Sequence, residues 1–321
     1  MVWGGRRLER YLGRPLPGSD SIGEAWMLSA QSLHVSRVVD GPWAGQPLTD
    51  LWLRCAEELT GRPGPQLRPF PLLLKYLDCQ ELLSIQVHPN DQIAAELRPG
   101  EFGKTEAWII LEADPTARIY AGLARGTTRE QLEQHLAAGT VAECLHRFVP
   151  RPGDCLFLPA GTVHAVGGGV LMAEVQQSSD ATFRLFDWNR LGADGLPRAL
   201  HTQEALRSID WSAGPVRPSE GRPLKDLPEG VSGRRLVDCP FFAIDRFDLS
   251  APLQLPYPKE LSIWMVLEGA VRLTGPASGE SRTLSRGQVV LVPATAEPLR
   301  WEPVERDAPS SLLGILPPQA T

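Results

Sequence analysis

Two stretches of this chain recur in the same order further on, and a duplicated unit leaves few folds open. TEAWIILEA at 105–113 aligns with LSIWMVLEG at 261–269, so Trp108, Leu111 and Glu112 fall on Trp264, Leu267 and Glu268. RPGDCLFLPAGTVHAV at 151–166 then aligns with SRGQVVLVPATAEPLR at 285–300 through a shared Gly, an apolar run and Pro-Ala. Single matches between short apolar strands mean little, but two in order indicate an internal repeat. Trp108 and Pro159 lie 51 residues apart and Trp264 and Pro293 only 29, so the first copy carries about 22 more. The stretch 127–148, TTREQLEQHLAAGTVAECLHRF, accounts for them. A Thr cap with Glu130 close behind, then Leu132, Leu136, Val141 and Leu145 at roughly helical spacing, predicts a helix-rich insertion between two strands.

A strand carrying W-x-x-L-E-[AG], a turn, and then G-[DQ]-x-x-x-[LV]-P-A is the pattern of a small antiparallel barrel of the cupin or jelly-roll type. Thirty Gly and thirty Pro suit many short strands joined by turns better than a helical bundle. The expectation is a mainly β chain with helical insertions, built as two cupin/jelly-roll barrels, the first catalytic and the second degenerate. A length of 321 residues is comfortable for two domains. Residues 1–211 would form the N-terminal catalytic domain and 237–321 the C-terminal one, joined by the Pro/Gly-rich stretch 212–236, whose composition cannot hold a core.

The formal net charge is -6 and Arg is scattered without a basic run, which argues against nucleic acid and membrane surfaces as partners. No window approaches the length of a membrane span, and the first twenty residues have no apolar core segment, so nothing marks the chain for export. Cys55, Cys79, Cys144, Cys155 and Cys239 are odd in number, lack C-x-x-C spacing and sit mostly among apolar neighbours. They read as buried thiols of a cytoplasmic protein.

The chemistry starts with LLSIQVHPND at 82–91, which reads as a strand. Alternation puts Ser84, Gln86 and His88 on one face and Leu83, Ile85 and Val87 on the other. A Q-x-H alone is more often a solvated face or a hydrogen-bonded pair than a metal site, so the rest of the chain decides. In GKTEAWIIL the same period places Lys104 and Glu106 together, and His164 follows a tight turn in PAGTVHAVGGG. Gln86, His88, Glu106 and His164 make an N/O ligand set suited to one Zn²⁺ per chain with an exchangeable position. Iron competes, because two His and a carboxylate also form the facial triad of non-haem oxygenases. The second copy carries Ser262, Glu260 and Pro298 where the first has Glu106, Lys104 and His164, so metal chemistry belongs to the first. In EVQQSSDATFRLFDWNR, Glu174 and Gln176 share a face, as do Arg184 and Phe186 opposite Phe183 and Leu185. Arg184 and Lys104 beside a divalent metal suit an anionic, polyhydroxylated substrate. His135, His146 and His201 read as ordinary helix or loop residues.

WGG (3–5), GEAW (23–26), SIQVHPND, GKTEAW, PAGTVHAVGGG and EVQQSSDATFRLFDW lie in order over nearly two hundred residues. Together they resemble the type I mannose-6-phosphate isomerases, zinc-dependent cupin enzymes, in their short bacterial form. The resemblance implies Gln86, His88, Glu106 and His164 as zinc ligands and Arg184 as the catalytic arginine. It also implies Lys104 and Glu174 near the sugar, and Lys75 and Ser84 as phosphate contacts. The reaction implied interconverts mannose 6-phosphate and fructose 6-phosphate through a cis-enediol(ate), in a monomer or homodimer. Glu174, Lys104 and a zinc-held water are all tenable as the base. Where relatives often place a His after Ser-Ala, this chain has Gln31, with His34 displaced. An iron-dependent oxygenase would share three ligands but gives no reason for Lys104, Glu174 and Arg184. A non-catalytic sugar sensor would have lost ligands, as only the second copy has.

Overall fold

The computed structural model describes residues 2–41, 43–63, 69–192, 195–275, 281–296, 298–305 and 308–318. It divides into two compact units, one of Met1–Leu8, Pro15–Trp26 and Leu73–Ser219, the other of Glu9–Arg14, Met27–Leu72 and Glu220–Thr321. Both are mainly β. The first is built on β1 (Glu24–Leu28), β2 (Leu72–Cys79), β3 (Ile85–Val87), β4 (Glu106–Ala113), β5 (Arg118–Leu123), β6 (Leu145–Phe148), β7 (Cys155–Leu158), β8 (His164–Gly167), β9 (Val170–Gln177) and β10 (Phe183–Phe186). Two sheets result, in the orders β1-β2-β9-β4-β7 and β10-β3-β8-β5-β6.

One apolar cluster joins Leu77, Trp108, Ile110, Leu156, Leu158 and Met172 of the first sheet to Ile119, Ala121 and Val166 of the second, so the sheets share an interior. A second cluster takes Ile85, Val87, Val163, Ala165, Phe183 and Leu185 against Leu132 and Leu206, which lie on the helices Arg129–Ala138 and Thr202–Ser208. Each fully buried Leu, Ile or Phe of this kind contributes about 1.5–3 kcal/mol. With Ile85 and Val87 turned to the helices, alternation turns Gln86 to the interior. Alternation fails at one place. Register shifts between Arg184 and Phe186, and Phe186 joins the outer cluster with Phe183 and Leu185 instead of sharing a face with Arg184. A bulge adds a residue and reverses the side on which the next side chain falls.

Within 127–148, helix occupies Arg129–Ala138, with Thr128 and Gln131 forming the capping box and Gly139 closing it in the left-handed region. A short 3₁₀ turn, Val141–Cys144, follows, and Leu145–Phe148 pairs with β5 as strand.

The second unit carries β11 (Arg222–Pro223), β12 (Val231–Asp238), β13 (Ala243–Leu249), β14 (Leu253–Gln254), β15 (Ser262–Glu268), β16 (Ala270–Thr274), β17 (Ser281–Ser285), β18 (Val289–Val292), β19 (Arg300–Pro303) and β20 (Ser310–Leu316). Its sheets run β11-β12-β13-β20-β15-β18 and β14-β19-β16-β17. The order β13-β20-β15-β18 matches β2-β9-β4-β7 strand for strand, and β14-β19-β16-β17 matches β3-β8-β5-β6. Trp108 and Trp264, aligned by sequence, lie in the equivalent strands β4 and β15, and both are buried. The helical insertion falls between β5 and β6, the strands equivalent to β16 and β17 of the second copy. Trp264 and Trp301 centre the second core. Among the described residues no helix is long and apolar enough to cross a membrane.

Candidate metal centre and active site

His88 follows the end of β3. Its carbonyl accepts from Gly161 N (2.8 Å), and Asn90 caps the next helix by accepting from Ile93 N (2.9 Å), so the chain is held on both sides of the ring. The His88 Nδ1 lies 3.0 Å from Ala181 O, and the His164 Nδ1 lies 2.9 Å from Thr162 O. A carbonyl only accepts, so both Nδ1 atoms carry the proton and both Nε2 atoms are left as acceptors. These acceptors converge on Glu106: His88 Nε2 stands 3.4 Å from Oε2 and His164 Nε2 3.3 Å from Oε1. The ligand atoms of all three residues lie within 4.8 Å of one another, and all three side chains are buried.

Three acceptors facing each other call for positive charge, part of which the Lys104 ammonium supplies from one side, 3.0 Å from Glu106 Oε2 and 3.2 Å from His88 Nε2. Protonating the imidazoles is opposed, since burial, then the charge of Lys104, pull His88 down to about 3, and burial likewise lowers His164. Fixed Nδ1–H donors with converging Nε2 atoms are the arrangement that orients histidines toward a metal. The residues therefore fit a divalent ion. Gln86 pairs with His164 across β3 and β8, and its Nε2 stands 3.3 Å from His164 Nε2. Exchange of its amide O and N, which costs no space, would present an oxygen to the same point.

A chain of buried charge extends from this group. Lys104, two residues ahead of β4, sets its Nζ 3.0 Å from Glu106 Oε2 and 3.2 Å from His88 Nε2. Burial alone would lower its pKa, but Glu106 and then Glu174 raise it above the ordinary lysine value, so Lys104 stays cationic. Glu174 accepts from Trp108 Nε1 (3.0 Å) and is raised to about 7, first by burial and next by the charge of Glu106. Burial thus favours its protonated form more than it would for an exposed carboxylate. Lys75 lies 3.9 Å from Glu174 Oε2 and 3.2 Å from Glu24 Oε2, under the Trp26 ring at 4.5 Å. Glu24 was missed by sequence reasoning, although it stands in the GEAW segment, two residues before Trp26 on the same strand face.

Pairing sets Arg184, Gln86, His164 and Ala121 in one lateral row across β10, β3, β8 and β5. Arg184 Nη1 donates to Ala199 O (2.9 Å), and its backbone N donates to His201 Nδ1 (3.2 Å). His201, read as an ordinary residue, therefore anchors the strand that carries Arg184. Just beyond, Asp187 accepts from Arg190 Nη2 (2.7 Å) and from Arg198 Nε (2.7 Å). Arg190 also donates to Leu82 O and Trp188 Nε1 to Leu83 O, so this cationic cluster is tied to the chain leading into Ser84. Ser84 is buried, with Oγ 3.4 Å from Gln86 Oε1. Neither Arg190 nor Arg198 was singled out from the sequence. In the second unit Ser262, aligned with Glu106, accepts the Trp264 indole N–H at 3.0 Å, and Pro298, aligned with His164, is exposed.

Residues 1–119 match the family model of the phosphomannose isomerase type I catalytic domain. The mannose-6-phosphate isomerase of Streptococcus mutans is 34% identical over 301 residues, covering 94% of this chain and 92% of that protein. Mannose-6-phosphate isomerase ManA of Bacillus subtilis is 35% identical over 272 residues, covering 85% and 84%. The crystal structure of a Bacillus subtilis mannose 6-phosphate isomerase superposes with a TM-score of 0.87 at 30% identity, covering 98% of this chain and 96% of that one.

Proposed function

This chain belongs to the type I phosphomannose isomerase family, and on that premise we propose that it is a zinc-dependent aldose-ketose isomerase acting on mannose 6-phosphate and fructose 6-phosphate. The observation that carries the metal reading is the convergence of two Nε2 acceptors on one buried carboxylate, with each Nδ1 held at a backbone carbonyl. His88, Glu106, His164 and the amide oxygen of Gln86 would hold the ion. When bound, it supplies Lewis-acid polarisation of the sugar's carbonyl and hydroxyl oxygens.

The rest is work for the chain's own residues. Glu174, held at about 7, takes the proton from C2 of mannose 6-phosphate and returns one to C1. Between the two transfers the sugar is a cis-enediolate; O1 gains a proton and O2 loses one, so substrate and product are isomers. Lys104, kept cationic by Glu106 and Glu174, sits beside the developing oxyanion, and Arg184 closes the same row from β10. Lys104 and a metal-held water are the alternatives for the base; the burial of Glu174, which raises its pKa from the ordinary carboxylate range, favours Glu174.

The phosphate is assigned to Ser84 and Lys75, with the charge of Arg190 and Arg198 adding to the field near Ser84. Lys75 reaches a phosphate by giving up Glu24. The matching strand orders support two cupin barrels, the catalytic one in residues 1–211 and a degenerate one in 237–321, which has lost its ligands. The five free cysteines, three of them buried, suit a cytoplasmic setting.

The test is turnover of mannose 6-phosphate by purified protein, its loss on chelation and its return with Zn²⁺. Return with Fe²⁺ alone would overturn the zinc assignment. Metal-loaded protein without turnover would overturn the reaction.

A further inference from the structure

We infer that Ser179 is a positioning residue that fixes Lys104 and His88 relative to one another; this rests on the metal-centre reading above. Ser179 has no exposed surface. Its Oγ donates to Phe102 O at 2.7 Å and accepts from Ala181 N at 3.1 Å, with Glu101 Oε2 at 3.3 Å. A hydroxyl has one proton, and the shorter contact assigns it chiefly to Phe102.

The two peptides tied by this one oxygen lead in different directions. Ala181, whose N–H is held by Ser179, presents its carbonyl to His88 Nδ1 at 3.0 Å, the bond that fixes the tautomer and aims Nε2 at Glu106. Phe102 begins the approach to Lys104. Gly103 N donates to Asp91 Oδ1 (2.7 Å), Lys104 N to Pro89 O (3.0 Å) and Thr105 N to Gln177 Oε1 (2.8 Å). Gln177 in turn donates from Nε2 to Asp91 Oδ1 (3.3 Å). Lys104 thus hangs between fixed points, and the 177–181 turn supplies two of them. The Ser179 hydroxyl is the atom shared by the Lys104 branch and the His88 branch.

A purely structural role would predict a loss of stability on removal and nothing else. A positioning role predicts that the metal and the chemistry respond in the folded protein. Apo protein is titrated with Zn²⁺ against a chromophoric chelator, and with Co²⁺ to read the visible bands of the bound ion, for wild type and Ser179→Ala. Circular dichroism confirms folding of each. Ser179→Ala is expected to bind Zn²⁺ about 10- to 100-fold more weakly, to shift the Co²⁺ bands, and to lower kcat on metal-saturated protein with KM within twofold. Ser179→Thr, which keeps the hydroxyl, restores affinity to within about threefold. Ser179→Cys, which keeps the volume with a weaker donor, carries the same expectation as Ala and replaces it should Ala not fold. Equal Zn²⁺ affinity and unchanged Co²⁺ bands in the folded variant overturn the inference alone. Wild-type protein that binds neither ion overturns the metal-centre reading on which it rests.

Discussion

Replacing Glu174 with Gln separates the two roles given to this carboxylate. Gln keeps the acceptor for Trp108 Nε1, now 3.0 Å from Glu174 Oε1, so the packing of the indole is preserved. What is lost is the ionisable group. Burial and the neighbouring charge of Glu106 raise Glu174 from 4.5 to about 7, while Lys104 and Lys75 act in the opposite sense. The folded chain therefore keeps a proton over a range of pH in which the unfolded chain has released it. Stability from this group is fully present below about pH 4.5 and is lost as pH rises through about 7. At about 1.36 kcal/mol per decade the loss amounts to about 3 kcal/mol. Chelator-treated wild type and Glu174→Gln are unfolded in urea at intervals from pH 5 to 8. The difference between them isolates Glu174 from the histidines, whose lowered pKa values work the other way. The variant is expected to gain on wild type by about 3 kcal/mol across this range, while kcat of the metal-loaded enzyme falls about 10²- to 10⁴-fold with KM little changed. Parallel stability curves, or kcat within tenfold of wild type, contradict the assignment.

Lys75→Met leaves Glu24 and Glu174 without the cation between them and should cost about 3–5 kcal/mol in denaturant unfolding. Adding Glu24→Gln to that variant should recover more than about 1 kcal/mol of it, since one uncompensated charge is gone. At Gly103 an added Cβ would stand 2.5 Å from Asp91 N and 2.7 Å from Asn90 C, both backbone. Gly103→Ala must therefore displace Lys104, and kcat should fall about 10²-fold in steady-state assays. Native protein should react with a thiol reagent at Cys55 and Cys239, which are half-buried, while Cys79, Cys144 and Cys155 react only after denaturation. Burial pushes the Cys155 thiol up to about 12, which withholds the thiolate.

The repeat and the candidate group of His88, Glu106 and His164 were legible because both rest on short motifs, a Trp and Pro-Ala pair repeated in order and His or Glu within resembling segments. Alternation alone set Ser84, Gln86 and His88 together, and they stand together in the fold. The matching strand orders of the two units follow from the Trp and Pro-Ala alignment. What stayed hidden depends on register between distant strands or on irregular chain. The Lys75–Glu24 pair needs β1 and β2 to meet at one offset, which no local pattern specifies. The bulge at Arg184–Phe186 breaks the period on which the face of Phe186 was read. The clamp of Asp187 on Arg190 and Arg198 spans a segment where Trp188 and Asn189 adopt positive φ, a conformation non-glycine residues seldom advertise.

The anomalous scattering of crystals of the purified protein, collected on both sides of the zinc absorption edge, tests the metal centre itself. A single peak that vanishes below the edge, bounded by His88, Glu106, His164 and the Gln86 amide, is the expected result. A peak elsewhere, or fully active crystals with no peak, would contradict it.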